Sequence, residues 1–128
     1  PDSATHVLYL PADEIHELGL LYLNYLLRAR GERTIYLGQS VPTEDLRQVV
    51  ALHQGAIVFI CVLMANPAPS EVPQYLMQLR AMVPDDRVEF WLTGSQLARV
   101  EAMDVPRGMH LHPSMGAVIS ALDAREAV

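Results

Sequence analysis

Ala56-Ile57-Val58-Phe59-Ile60-Cys61-Val62-Leu63-Met64-Ala65 is an unbroken apolar run of ten residues. Crossing a bilayer takes about 20 such residues, so the run is not a membrane span. Its length and β-branched content instead suit a strand buried on both faces of a parallel sheet, where no polar alternation survives. Outward from it, shorter runs of the same character stand at 6–10 (HVLYL), 33–37 (RTIYL) and 87–92 (RVEFWL), with a weaker one at 109–111. Helical patterns separate them at 14–30, 43–53, 70–82, 95–103 and 114–125. Strands that alternate with helices read as βαβ units, because parallel neighbours need a crossover long enough to return the chain.

A chain of 128 residues, 51% hydrophobic and 19% charged, can bury one core and holds a single domain at 1–128. One cysteine excludes an internal disulfide and a cysteine-rich metal site, and a reducing cytoplasm is the expected compartment. All nine basic residues are arginine and the net charge is −6, so the surface lacks the cationic footprint that nucleic acid requires. The start, Pro1-Asp2-Ser3-Ala4-Thr5, has neither a cationic region nor an initiator Met, and an excised domain without a targeting segment is expected. The first helix is acidic at its start, with Asp13 and Glu14, and cationic at its end, with Arg28 and Arg30 before Gly31. Leu18, Leu20, Leu21, Tyr22, Leu23, Tyr25, Leu26 and Leu27 leave most of its circumference apolar. Burial within the domain is the favoured explanation, a partner contact the other.

Ligands of open parallel sheets bind beyond the carboxyl ends of the strands. The loops there are 11–19, 38–42, 63–69, 93–96 and 112–114, and their residues discriminate between chemistries. A phosphoacceptor site would need an Asp after the third strand and a Lys near the fifth; no Asp lies between Asp45 and Asp85, and lysine is absent altogether. The loop after the first strand is not the Ser/Thr/Gly-rich phosphate loop of a flavodoxin, and neither GxGxxG nor a P-loop occurs. HExxH and G-x-S-x-G are missing too. His110 and His112 project to one side of a strand with no third ligand nearby, which reads as an exposed polar face.

The first loop does contain Glu14-Ile15-His16-Glu17-Leu18-Gly19, the pattern E-x-H-x-x-G. A neutral imidazole is a good metal ligand, and a carboxylate two residues away can accept its other ring N–H, fixing the tautomer and raising its basicity. This segment resembles the D/E-x-H-x-x-G hallmark of cobalamin-binding domains, in the Glu form of the MerR-type, light-dependent regulators of the CarH/LitR kind. Tyr36-Leu37-Gly38-Gln39-Ser40-Val41-Pro42-Thr43-Glu44-Asp45-Leu46 is similar to the L-G-x-x-V-P-x-E-x-L segment of that family.

The resemblance implies a three-layer, flavodoxin-like α/β domain whose five-stranded parallel sheet has the order 2-1-3-4-5. It implies cobalamin as cofactor, with His16 as lower axial cobalt ligand, Glu14 as its partner, and Gly19 leaving room for the nucleotide tail. The tail-binding positions fall on Cys61 and Leu63, where the family carries Ser in an S-x-L/T pattern, and on Thr93, Gly94 and Ser95, where it carries Gly-Gly. It further implies the sensory part of a transcriptional regulator that is not itself an enzyme. Such a regulator would assemble as a homo-oligomer and touch DNA only through a helix-turn-helix module outside this chain. Two alternatives stand beside it: a corrinoid-carrying module of a methyltransferase or mutase, and a degenerate domain that keeps the fold for protein contact without cofactor.

Overall fold

The computed structural model describes residues 4 to 126, and the Pro1, Asp2 and Ser3 of the expected excised start lie outside them. Its strands are β1 (Thr5–Pro11), β2 (Arg33–Val41), β3 (Ile57–Val62), β4 (Val88–Thr93) and β5 (Met109–Leu111). They pair in parallel in the order β2-β1-β3-β4-β5, as the sequence reading expects. The helices are α1 (Leu18–Ala29), α2 (Thr43–Leu52), α3 (Val72–Met82) and α4 (Met115–Glu126). Strand periodicity splits the core in two. Val7, Tyr9, Phe59, Cys61, Phe90 and Leu92 face α2 and α3, with Leu46, Leu76 and Leu79 packed on them. Leu8, Leu10, Val58, Ile60, Val62 and Trp91 face the other way, toward Leu20, Leu23 and Leu27 of α1 and Val118 and Leu122 of α4.

The structure differs from the sequence reading in two elements. No α-helix spans 95–103: two 3-10 turns, Ser95–Leu97 and Ala102–Asp104, take its place. A nine-residue segment is too short to hold a helix on propensity alone, and Leu97, Val100 and Val105 pack instead on the α3 side of the sheet. The Arg80 guanidinium fastens this connection by donating to the carbonyls of Val83, Asp85, Val88 and Arg107 while lying 5.3 Å over the Phe90 ring.

The helix expected from 14 begins at Leu18, so Asp13 and Glu14 belong to the loop and its first turn has no acidic residue. Its far end follows expectation, with Arg28 in the last turn and a left-handed Gly31 (φ 78°) that lets Glu32 N–H bond Leu27 O at 3.0 Å. The apolar circumference of α1 is not all taken up inside the domain. Leu18 is 83% and Tyr25 67% exposed, with Leu21 and Tyr22 about half exposed beside them. Among the described residues no helix is long and apolar enough to cross a membrane.

Candidate cofactor site at the carboxyl edge

Beyond Pro11 the chain turns through Asp13, a left-handed non-glycine residue (φ 70°), and delivers Glu14 into the interior. The Glu14 carboxylate is wholly buried. Its Oε2 accepts from the backbone N–H groups of Ile15 and His16, both at 3.0 Å, and from Nδ1 of His16 at 2.7 Å. Its Oε1 accepts from three successive N–H groups of the β3–α3 loop, Met64 at 3.0 Å, Ala65 at 2.6 Å and Asn66 at 2.9 Å. Burial by itself pushes this carboxyl up, but the N–H donors of Ala65, Asn66 and His16 and the imidazole outweigh it and hold its pKa at about 2.

An ionised carboxylate only accepts, so the proton shared with His16 sits on Nδ1 and the lone pair is left on Nε2. The His16 side chain is 61% exposed, so that nitrogen is presented outward from a ring fixed from behind. This is the arrangement of a metal-ligating histidine with its supporting carboxylate.

The carboxyl half of β2 closes the other flank. Ser40, also left-handed at φ 54°, accepts from Asp13 N–H through Oγ and donates its own N–H to Glu14 O, each at 3.1 Å. Glu17 accepts from Tyr36 Oη at 2.7 Å and from Gln39 Nε2 at 3.3 Å, and Asn66 Nδ2 donates to Asp13 O at 3.1 Å. The carboxyl half of β2 and the loop after β3 therefore converge on residues 13–17 of the loop after β1.

Beside this cradle lies a cleft of about 620 Å³ walled by Val62, Met64, Thr93, Gly94, His112 and Met115 among others. Gly94 (φ 123°) is demanded by close approach, because a Cβ there would stand 2.2 Å from the Leu63 carbonyl oxygen. Thr93 Oγ1 donates to His112 O at 2.9 Å and Ser95 Oγ to Met64 O at 3.1 Å, so both hydroxyl protons are already engaged. Gln96 Nε2 donates to Ala65 O and Pro67 O, both at 3.0 Å. The loop at 63–67 is thus held through its N–H groups by Glu14 and through its carbonyls by Ser95 and Gln96.

Of the sequence-predicted residues, Glu14 and His16 form the cradle, while Thr93, Gly94 and Ser95 wall the cleft. Gly19 reaches the cleft indirectly, through the Met115 side chain that lies 3.6 Å from where its Cβ would be. Cys61 and Leu63 do not wall the cleft. They are buried in the opposite, α2/α3 layer, where burial pushes the Cys61 thiol up beside Tyr9, and Val62 and Met64 face the cleft instead. Their parity along β3 is the reason, since neighbouring residues of a strand face opposite layers. His112, read from sequence as part of an exposed polar face, walls the cleft too. The signal for it lay in register, because His110 pairs with the buried Trp91 and His112 continues that face beyond the strand.

The fold and this edge define a class: a flavodoxin-like domain that presents a carboxylate-held imidazole where strand order reverses. No family model and no curated protein matches the chain. Solved structures do share its fold. One is a cobalamin-binding protein from Desulfitobacterium hafniense DCB-2, TM-score 0.71 at 14% identity over 95% of this chain and 58% of that one. Another is the monomethylamine corrinoid protein of Methanosarcina barkeri, TM-score 0.73 at 16% identity over 94% and 57%. A third is the methanol:cobalamin methyltransferase complex of Methanosarcina barkeri, TM-score 0.68 at 18% identity over 99% and 48%. The chain spans about half the length of these neighbours, and at such identities the likeness is one of fold.

Proposed function

We propose that the chain is a corrinoid-binding module that takes cobalamin with His16 Nε2 as lower axial ligand and the nucleotide tail in the cleft. The observation that carries this reading is the 2.7 Å contact between His16 Nδ1 and the buried Glu14, which leaves Nε2 bare and exposed. The residues present fit the group. A neutral imidazole suits cobalt, the cleft falls within the range of small-ligand sites (~300–1,000 Å³), and its glycine edge admits close backbone approach. When bound, the cobalt supplies the organometallic chemistry. The chain's own residues orient one nitrogen, fix its tautomer and wall a largely apolar slot.

As to context, the module is read as a corrinoid carrier serving a methyltransferase partner. The likeness of its fold to the corrinoid proteins of Methanosarcina barkeri supports this. A sensory module of a MerR-type, light-dependent regulator is the second reading, favoured by the Glu form of Glu14-x-His16 and by the strand-two segment from Leu37 to Leu46. In that reading DNA is contacted by another part of the protein, consistent with the charge of −6.

The test is a visible-absorption titration in the dark with hydroxocobalamin and adenosylcobalamin, comparing the protein with His16→Ala. A base-off, histidine-on spectrum that the substitution abolishes is expected; retention of cobalamin with the same spectrum in both proteins would contradict the assignment.

A further inference from the structure

We propose that a second copy of this chain covers the outward face of α1, the two helices packing antiparallel about a two-fold axis between residues 21 and 22. The inference does not depend on the corrinoid reading. A helix on the surface of a domain carries one apolar stripe, and α1 carries two. Leu20, Leu23 and Leu27 are buried in the layer that α1 shares with α4. On the opposite side Leu18, Leu21, Tyr22 and Tyr25 stand exposed at the spacing i, i+3, i+4, i+7, which makes a single stripe about 10 Å long. Exposed apolar residues scattered singly are ordinary, but four in one stripe, two of them aromatic, have the composition of an interface core.

A second copy is the fitting occupant because the stripe complements itself when reversed. About that axis Leu18 meets the second copy's Tyr25 and Leu21 meets its Tyr22, so each leucine packs on a ring. The same reversal brings the Arg28 end of one helix to the Glu17 end of the other. These two residues lie about three helical turns apart on one flank of the stripe, and like flanks face each other in an antiparallel pair. Both charges are unbalanced within the chain. Arg28 has no carboxylate partner among the described residues, whereas Arg30 near it is paired with Asp123 at 2.7 Å. Glu17 accepts from the neutral donors Tyr36 Oη and Gln39 Nε2, and its two oxygens keep room for a guanidinium. A parallel pair would instead set Arg28 against Arg28 and Glu17 against Glu17. Each copy offers on the order of 500 Å² of apolar surface in the stripe, which places the pair at the lower end of specific interfaces and its affinity in the micromolar range.

Sedimentation velocity from about 1 to about 500 µM, without cofactor, tests the proposal on the protein, Tyr25→Glu and Arg28→Glu. Both side chains are exposed, so thermal unfolding of the variants should match that of the protein. The expected result is a concentration-dependent dimer, weakened about a hundredfold or more by Tyr25→Glu and about tenfold by Arg28→Glu. Register is read by introduced thiols, since the one native cysteine, Cys61, is buried. Under mild oxidation Leu21→Cys should cross-link to its own copy. Leu18→Cys should not, but should cross-link to Tyr25→Cys in an equimolar mixture. A chain that stays monomeric at the highest concentration, or a dimer that Tyr25→Glu leaves intact, would overturn the proposal. Cross-linking of Leu18→Cys to its own copy would overturn the antiparallel order. None of these outcomes bears on His16 ligation, which the cobalamin titration tests separately.

Discussion

The Glu14 carboxylate has donors on both of its oxygens, whereas across the same carboxyl edge the buried Nε2 of His112 has no partner. The first region spends a buried charge on holding two loops and one imidazole in place. The second is a largely apolar cleft walled by residues of β3, β4 and the loop after β5. In the proposed reading the contrast separates two tasks: the geometry at His16 is set by the fold before anything binds, and the cleft takes the rest of the ligand.

The sharpest way to break the comparison is to remove the Glu14 carboxylate. Glu14→Ala leaves the N–H groups of Ile15, His16, Met64, Ala65 and Asn66 without their acceptor, so denaturant unfolding should show a loss of about 3–5 kcal/mol. A loss under about 1 kcal/mol would mean that the cradle does not organise the edge.

Acid does the same reversibly. The folded pKa of Glu14, about 2, lies below the ordinary 4.5, so its stabilisation is complete above pH 4.5 and is lost as pH falls toward 2. That amounts to about 3 kcal/mol, and Glu14→Gln should flatten the corresponding part of the stability profile. Gly94→Ala would drive a Cβ into the Leu63 carbonyl at a positive φ; calorimetry should register roughly 2–4 kcal/mol of destabilisation, together with weakened corrinoid binding.

Cys61→Ala sharpens the contrast from the other layer. The side chain packs among Tyr9 and Phe59 away from the cleft, so about 1–2 kcal/mol of stability should go while cobalamin affinity stays as it was. The smallest effect belongs to Ser95→Ala, which frees one carbonyl of the 63–67 loop and should cost about 1 kcal/mol by the same unfolding assay.

The parallel βαβ architecture was legible in the sequence because apolar runs alternate with helical spacing, while the strand order came from the resemblance to cobalamin-binding domains. The His16 and Glu14 pair was legible too, being local: two residues apart on one loop. What Glu14 does for the rest of the edge was not, since its Oε1 partners lie 50 to 52 residues along the chain. A run that is apolar at every position carries no mark of which residues face which layer, so Cys61 and Val62 exchange roles when β3 takes its place. The segment 95–103 carried helical spacing, but Gly94 in its left-handed turn and the apolar side chains that follow serve tertiary packing instead.

The central claim, that His16 places its nitrogen on cobalt, is tested most directly by electron paramagnetic resonance of the protein loaded with cob(II)alamin, after labelling its histidines with the heavy nitrogen isotope. Coordination through His16 changes the splitting of each high-field line from a triplet to a doublet, and His16→Ala abolishes that doublet. A triplet that survives labelling would show the cofactor's own base still on the metal and contradict the account.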